Sequence, residues 1–306
     1  MASFSAKRAV TTVSAGKSWS KFGIGYLFVL PAVVLYLLFV MYPFFASLYF
    51  SLTKWNGVDP VKIFVGLANY DRLLQDKVVW IGLQHNLMWM AVGSFVPISL
   101  GLFLAMLVWS RPRGFLFFRT VYFMPQVLGT GILGILWSMV YQPRLGLLYE
   151  IGDRLGIEFL KFSPLADTRT ALWAVLAAAI WAGVGFHFVI MMAGLQGVNM
   201  ELLDAAEVDG ANGMQRFFYV VFPQLSHQVT MVTVLAMIGG LKAFGLIWAL
   251  TQGGPGHGTE TIATRAYVHF LKLSEVGYSA AITMVMAFLA LAMTFVFMRI
   301  RERGEV

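Results

Sequence analysis

The chain has 306 residues, 59% of them hydrophobic and only 12% charged, with 22 Lys and Arg against 15 Asp and Glu; its mean hydropathy is +0.75. Soluble domains carry roughly 25% charged residues, so the composition excludes an ordinary soluble enzyme and indicates a polytopic membrane protein. The chain contains no cysteine, which rules out a disulfide framework, a thiol nucleophile and a cysteine-ligated metal.

Residues 1–21, MASFSAKRAVTTVSAGKSWSK, hold Lys7, Arg8, Lys17 and Lys21 without an acid. The apolar run that follows exceeds the roughly 7–15 residues of a signal-peptide core and lacks a small-x-small cleavage site, so it reads as a retained first span. A helix crossing the hydrocarbon core needs about 20 mostly apolar residues. Six segments meet that need: Phe22 to Leu52, with kinks expected at Pro31 and Pro43, Val78 to Trp109, Phe115 to Tyr141, Ala171 to about Gly197, Val229 to Leu250, and Val276 to Met298. The expected fold is therefore an all-α polytopic membrane protein with six transmembrane helices. Its parts are an N-terminal tail over 1–21, a membrane domain over 22–298 and a short tail over 299–306. An even number of spans puts both ends on one side. The totals of Lys and Arg barely differ between the two sets of loops. The acid-free N-terminal tail and the short turn SRPRGFLFFR, with Arg111, Arg113 and Arg119, place both termini in the cytoplasm.

Between the fourth and fifth spans lies an acidic segment, about 199–226, carrying Glu201, Asp204, Glu207 and Asp209 against Arg216. Asn199 suits an N-cap for the helix MELLDAAEV, with acids near its positive end. DGANG breaks that helix, and MQRFFYVVFP forms a second one that meets the next span through Pro223. The expected product is an L-shaped pair of amphipathic helices beneath the membrane. An acidic surface suits anionic lipid poorly, so a protein partner explains it better than headgroups do.

A search for chemistry finds little. GKS at Gly16 to Ser18 mimics the end of a phosphate-binding loop, but Thr11 stands where its first glycine belongs. GTGILG, Gly129 to Gly134, matches G-x-G-x-x-G but lies inside an apolar span, where small residues serve helix packing. The five histidines have no metal-ligand spacing, and no G-x-S-x-G elbow occurs.

The order DAA, three residues, Gly210, nine residues, VVFP resembles the EAA loop of bacterial ABC importer permeases, Glu-Ala-Ala, x3, Gly, x9, Ile-x-Leu-Pro. The departures are Asp204 for Glu, Val220 for Ile and Phe222 for Leu. Further segments in the right order resemble the carbohydrate-uptake permeases: YPFFASLYFSLTKWNG, FVGLANYDRLL, FLFFRTVYFMPQV, IWALTQGGPGHGTET and GYSAAITMVMAFLALAMTFVFMRIRER. TQGGPG is most similar to the maltose- and glycerol-phosphate-type first permease.

The resemblance implies a non-catalytic permease subunit in the bacterial cytoplasmic (inner) membrane, forming half of a pathway for a small carbohydrate. It binds no cofactor itself; ATP and Mg are used by a partner ATPase dimer. The other implied partners are a second permease, as a heterodimer, an extracytoplasmic substrate-binding protein and the bilayer, but no nucleic acid. Coupling falls to residues 201–223. Asp204, Glu207 and Asp209 would make polar contacts with the ATPase, Ala205 and Ala206 would permit close approach, Gly210 would set the bend, and Pro223 would fix the start of the fifth span. The shorter side chain of Asp204 makes its salt bridge the least direct carry-over from the family's Glu.

Polar residues inside spans are costly and face a cavity or a partner. Lys242 follows Gly239 and Gly240, whose backbone permits local unwinding, tolerated only where it lines a cavity or is buried in protein. With Phe244 and Trp248, Lys242 either meets substrate on the pathway or pairs with a neighbouring subunit. His85, Asn86 and His187 are candidates either for the pathway or for interhelical hydrogen bonds, and Trp181 for stacking on a sugar face. The alternatives are a permease of the same superfamily for an amino acid or polyamine and, in another class, a stand-alone secondary transporter or a polytopic enzyme. A secondary transporter calls for an inverted repeat or an intramembrane carboxylate relay, and neither is visible.

Overall fold

The computed structural model describes residues 18–110 and 113–302. Lys7, Arg8, Lys17, Arg111, the GKS match at Gly16 and the last four residues lie outside them. Residues up to Tyr49 and from Phe50 onward form two units, each described by itself.

The first unit is helical. Helix α1 (Ser18–Tyr36) passes through one π-turn, Leu37–Met41, into α2 (Tyr42–Ser51). The Tyr42 amide donates to the Leu37 carbonyl, five residues back, directly before Pro43. Proline offers no N–H and its ring crowds the preceding turn; a π-turn absorbs that interruption without ending the helix. The apolar stretch Tyr26–Ser51 is long enough to cross a membrane, so the chain continues through the expected kink at Pro43 as a helix.

The second unit opens with a small antiparallel hairpin, β1 (Thr53–Lys54) and β2 (Ile63–Phe64), in register Thr53↔Phe64. Helix α3 (Ala68–Gln75) leads to Asp76, whose side chain caps α4 (Lys77–Leu107) by accepting from the Val78 amide at 2.9 Å. Helix α8 (Ala171–Leu195) is the second long apolar helix, and α15 (Val276–Glu302) carries the third, whose candidate span is Val276–Arg299. Helices α4 and α8 form the centre: Ile98, Leu102 and Ala105 bury against Phe188, Met191 and Leu195. Between membrane helices such contacts hold by van der Waals packing rather than by exclusion of water.

Two expected spans are broken. Helices α5 (Phe115–Val127) and α6 (Thr130–Val140) meet at 98°. Pro125 removes a ladder hydrogen bond in the last turn of α5, and Leu128 and Gly129 are extended. Of the GTGILG glycines, only Gly134 packs tightly, where an added Cβ would sit 2.5 Å from the Ala249 Cβ. The amphipathic α7 (Leu147–Leu155) follows. The expected fifth span, Val229 to Leu250, is instead α12 (Ser226–Leu241), a break at 242–244, and α13 (Gly245–Leu250). Its entry is bent by 69° against the preceding helical stretch Gly213–Gln224. The unit thus combines long unbroken helices with two bent pairs, and it ends through α14 (Ile262–Tyr267) and α15. The chain is an all-α polytopic membrane protein with four to six apolar spans.

Candidate functional site

The acidic segment folds as two short helices. Helix α9 (Met200–Val208) is capped by Asn199, which accepts from the Glu201 amide at 2.8 Å. It ends at Gly210 with φ +79°. The Ala211 amide reaches the Ala206 carbonyl at 2.9 Å and the Gly210 amide that of Glu207 at 3.0 Å, the paired bonds of a glycine-terminated helix. Asn212 and Gln215 then form a reciprocal capping box that starts α10 (Gly213–Arg216). The helix runs on through a π-turn, Phe217–Val221, into α11 (Phe222–Gln224). The Phe222 amide donates to the Phe217 carbonyl immediately before Pro223, the same device seen before Pro43. The base is closed by the Asn199 amide donating to the Gln224 Oε1 at 2.9 Å.

This segment is rooted in the centre of the protein, because Val221 and Leu225 are buried in the α4–α8 core and Leu203 and Phe217 pack on it. Its outward face mixes acidic side chains with apolar ones such as Leu202, Val208 and Met214. Glu201, Asp204, Ala205, Glu207, Asp209, Gly210 and Pro223 are exposed and Ala206 is half-buried. Glu207 forms an ion pair with Arg216 across the turn, whereas Glu201, Asp204 and Asp209 have no ion-pair partner among the described residues. A 520 Å³ groove lies between the segment and the end of α4, lined by Met106, Trp109, Asp204, Glu207 and Arg216.

The second cluster lies toward the other end of α4. Asn86 is the tenth residue of that helix, about 14 Å along it at 1.5 Å per residue. Its side chain is completely buried. Its amide donates to the Gly240 carbonyl at 2.8 Å and to that of Leu241 at 2.9 Å, and its oxygen accepts from the Ile262 amide at 3.0 Å. These are end groups of helices α12 and α14; the Gly240 carbonyl also accepts from the Ala243 amide at 3.2 Å. Such close approach needs Gly240, where an added Cβ would lie 2.9 Å from the Met90 Cα.

Beyond this contact the chain unwinds. Lys242 caps α12, its amide donating to the Ile238 carbonyl at 3.2 Å; it is exposed, and its side chain has neither hydrogen-bond nor ion-pair partner among the described residues. Phe244 stacks on Trp248 with centroids 5.7 Å apart, and Tyr267 of α14 closes on both at 5.0 and 4.5 Å. Lys272 places its Nζ 5.0 Å from the Trp248 ring. The loop TQGGPGHGTET is tied internally: Thr251 bonds Thr259, Thr259 donates to the Gly254 carbonyl, and His257 meets the buried Glu260. Of the other candidates, His85 touches this loop and the rest stand apart from the cluster. His187 bonds the Gly183 carbonyl of its own helix at 2.9 Å, and Trp181 meets Trp137 edge-on at 5.6 Å. His85 bonds the Glu260 carbonyl at 2.7 Å. Tyr267, Lys272 and Thr261 went unnoticed in the sequence because they lie on the next element, and only the Thr261–Thr264 capping box leaves a local trace.

At the start of α4 an ionic cluster joins four elements. Asp76 accepts from Arg265 and from the Tyr278 hydroxyl. Arg72 forms a two-bond pair with Glu275, which also meets His269 at 2.7 Å. Burial opposes ionisation of Asp76 and Glu275. The hydrogen bonds from Arg265 and Tyr278 in one case, and from Arg72 and His269 in the other, outweigh it and hold both carboxyls below the usual range. Burial lowers His269 despite the raising effect of Glu275.

Residues 97–303 match the family described as binding-protein-dependent transport system inner membrane component. The chain is 33% identical to the sn-glycerol-3-phosphate transport system permease protein UgpA of Agrobacterium fabrum, over 88% of this chain and 91% of that one. It is 29% identical to the multiple sugar-binding transport system permease protein MsmF of Streptococcus mutans, over 92% and 96%. Its fold matches a chain of a bacterial alginate ABC transporter, solved in complex with alginate pentasaccharide-bound periplasmic protein, with TM-score 0.82 and 17% identity over 94% and 97%. The chain therefore belongs to the binding-protein-dependent inner membrane component family and is a permease subunit of an ABC transporter.

Proposed function

We propose that this permease forms half of the translocation pathway of an ATP-driven carbohydrate importer in a bacterial cytoplasmic membrane. Relatives named for sugar and glycerol-phosphate transport support the substrate class. The permease itself hydrolyses nothing; a cytoplasmic ATPase dimer, using ATP and Mg, engages residues 201–223, and a second permease completes the pathway. An extracytoplasmic binding protein delivers the substrate. Both termini lie in the cytoplasm, with 1–21 and 299–306 as tails to the 22–298 membrane domain.

One observation carries the coupling reading: the acidic segment exposes unpaired carboxylates while its stem is buried in the α4–α8 core. A rigid stem transmits displacement of the exposed face to the spans. Asp204 is free to meet a cation of the ATPase, whereas Glu207 already holds Arg216. The pathway reading rests on Lys242, whose exposed side chain has no partner among the described residues, two residues before Phe244 in the chain, and on Phe244, Trp248 and Tyr267, an aromatic group suited to a sugar face. Trp181, His187 and Asn86 border or support that route.

The test is reconstitution of the complete transporter in vesicles with Asp204→Ala. Insertion is expected to persist while carbohydrate uptake per ATP hydrolysed falls about tenfold, the effect of losing about 1.4 kcal/mol of coupling. Unchanged uptake per ATP would refute the assignment of this segment to coupling.

A further inference from the structure

We propose that Asn86 is a positioning residue that sets the spacing between the two arms of the aromatic cluster, and through it the affinity of the pathway for substrate. One arm is the 242–250 segment with Phe244 and Trp248; the other is α14 with Tyr267. They come from opposite sides of the TQGGPG loop, and each is held at its root by the same buried side chain. Asn86 takes the last carbonyls of α12 on its amide and the first amide of α14 on its oxygen. A parallel tie runs beside it, where the Thr261 hydroxyl donates to the Ala243 carbonyl at 2.9 Å.

Two physical facts make this more than packing. The amide group uses both of its donors and one acceptor lone pair on backbone, so no other side chain of that size supplies the same set. The groups it satisfies flank residues 242–244, where the helix breaks after two last amides, Lys242 and Ala243, bond back to Ile238 and Gly240 at 3.2 Å each. Removing Asn86 therefore takes the side-chain partner from the buried Leu241 carbonyl and Ile262 amide, at the point from which both arms diverge. The spacing of Trp248 and Tyr267, 4.5 Å between centroids, follows from that root.

The inference rests on the pathway reading for its effect on affinity, but the geometry is testable alone. The chain contains no cysteine, so spin labels introduced at the exposed Gln252 and Leu271 report the two arms without background. In the complete transporter, Asn86→Leu is expected to broaden the label-to-label distance distribution. It should raise the half-saturating substrate concentration about tenfold while most of the maximal rate is kept. Thr261→Val removes the parallel tie together with the cap that the Thr261 hydroxyl gives α14, and is expected to shift affinity in the same direction by about threefold; it decides the matter if Asn86→Leu does not assemble. Unaltered distances and half-saturation in assembled protein overturn the proposal, as does a loss confined to the amount of assembled protein. If the wild type takes up no carbohydrate, the pathway reading falls, and the label distances still decide the role of Asn86.

Discussion

The acidic segment 199–224 and the Asn86 contact use backbone end groups in opposite ways. In the segment, caps come from its own residues: Asn199, Asn212 with Gln215, and the Gly210 turn. Its carboxylates are left facing outward. At Asn86 the end groups of two helices are satisfied by a third helix, and both donors of the side chain are used. A self-capped element can move as a piece and keep its surface for a partner. A cross-capped one fixes neighbours relative to each other.

The most severe break of this contrast is Gly240→Val. Its Cβ would meet the Met90 backbone, forcing α4 and α12 apart; overpacking of this kind costs about 1–3 kcal/mol. The expected result is a clearly lower melting temperature of purified protein, and an unchanged one would mean that the contact is loose. A medium effect is expected at Gly210, whose φ of +79° costs an ordinary residue about 1–2 kcal/mol. Nothing lies within 4 Å of an added Cβ there, so Gly210→Asn, which tolerates this conformation, should retain uptake where Gly210→Val loses most of it. Equal uptake by both variants would show that the turn's conformation is irrelevant to coupling.

The smallest effect is one of pH. His269 has a lowered folded-state pKa, so below the unfolded value of about 6.5 the unfolded chain binds the proton more readily and stability declines. Asp76 and Glu275 are also lowered; their contribution is full above the unfolded carboxylate range of about 4 and is lost as pH falls through their folded values. Thermal stability should thus fall gently below about pH 6.5 and more steeply below about pH 4. His269→Gln is expected to flatten the first limb alone; if that limb survives the substitution, it has another origin.

Much of this was legible in the sequence. Long apolar runs without charge gave α4, α8 and α15 to within a few residues, because length and hydropathy alone decide whether a helix crosses a membrane. The bends were not legible: the 98° turn after Pro125 lies inside an unbroken apolar run, and hydropathy carries no direction. The glycines before Lys242 stand just ahead of the break at 242–244, whereas Pro223 falls inside α11, three residues before α12 begins. Asn86 could be read equally as a pathway group or as an interhelical bond. Only its three backbone partners, drawn from residues 154 and more positions away, separate the two.

The bond between the Asn199 amide and Gln224 brings the two ends of the acidic segment to one point. A peptide that leaves and returns at a single doorway can be exchanged as a cassette, provided that the buried Val221 and Leu225 stay with the host. If the segment meets an ATPase as proposed, the choice of motor and the choice of cargo are written in separable stretches of the chain, free to diverge independently.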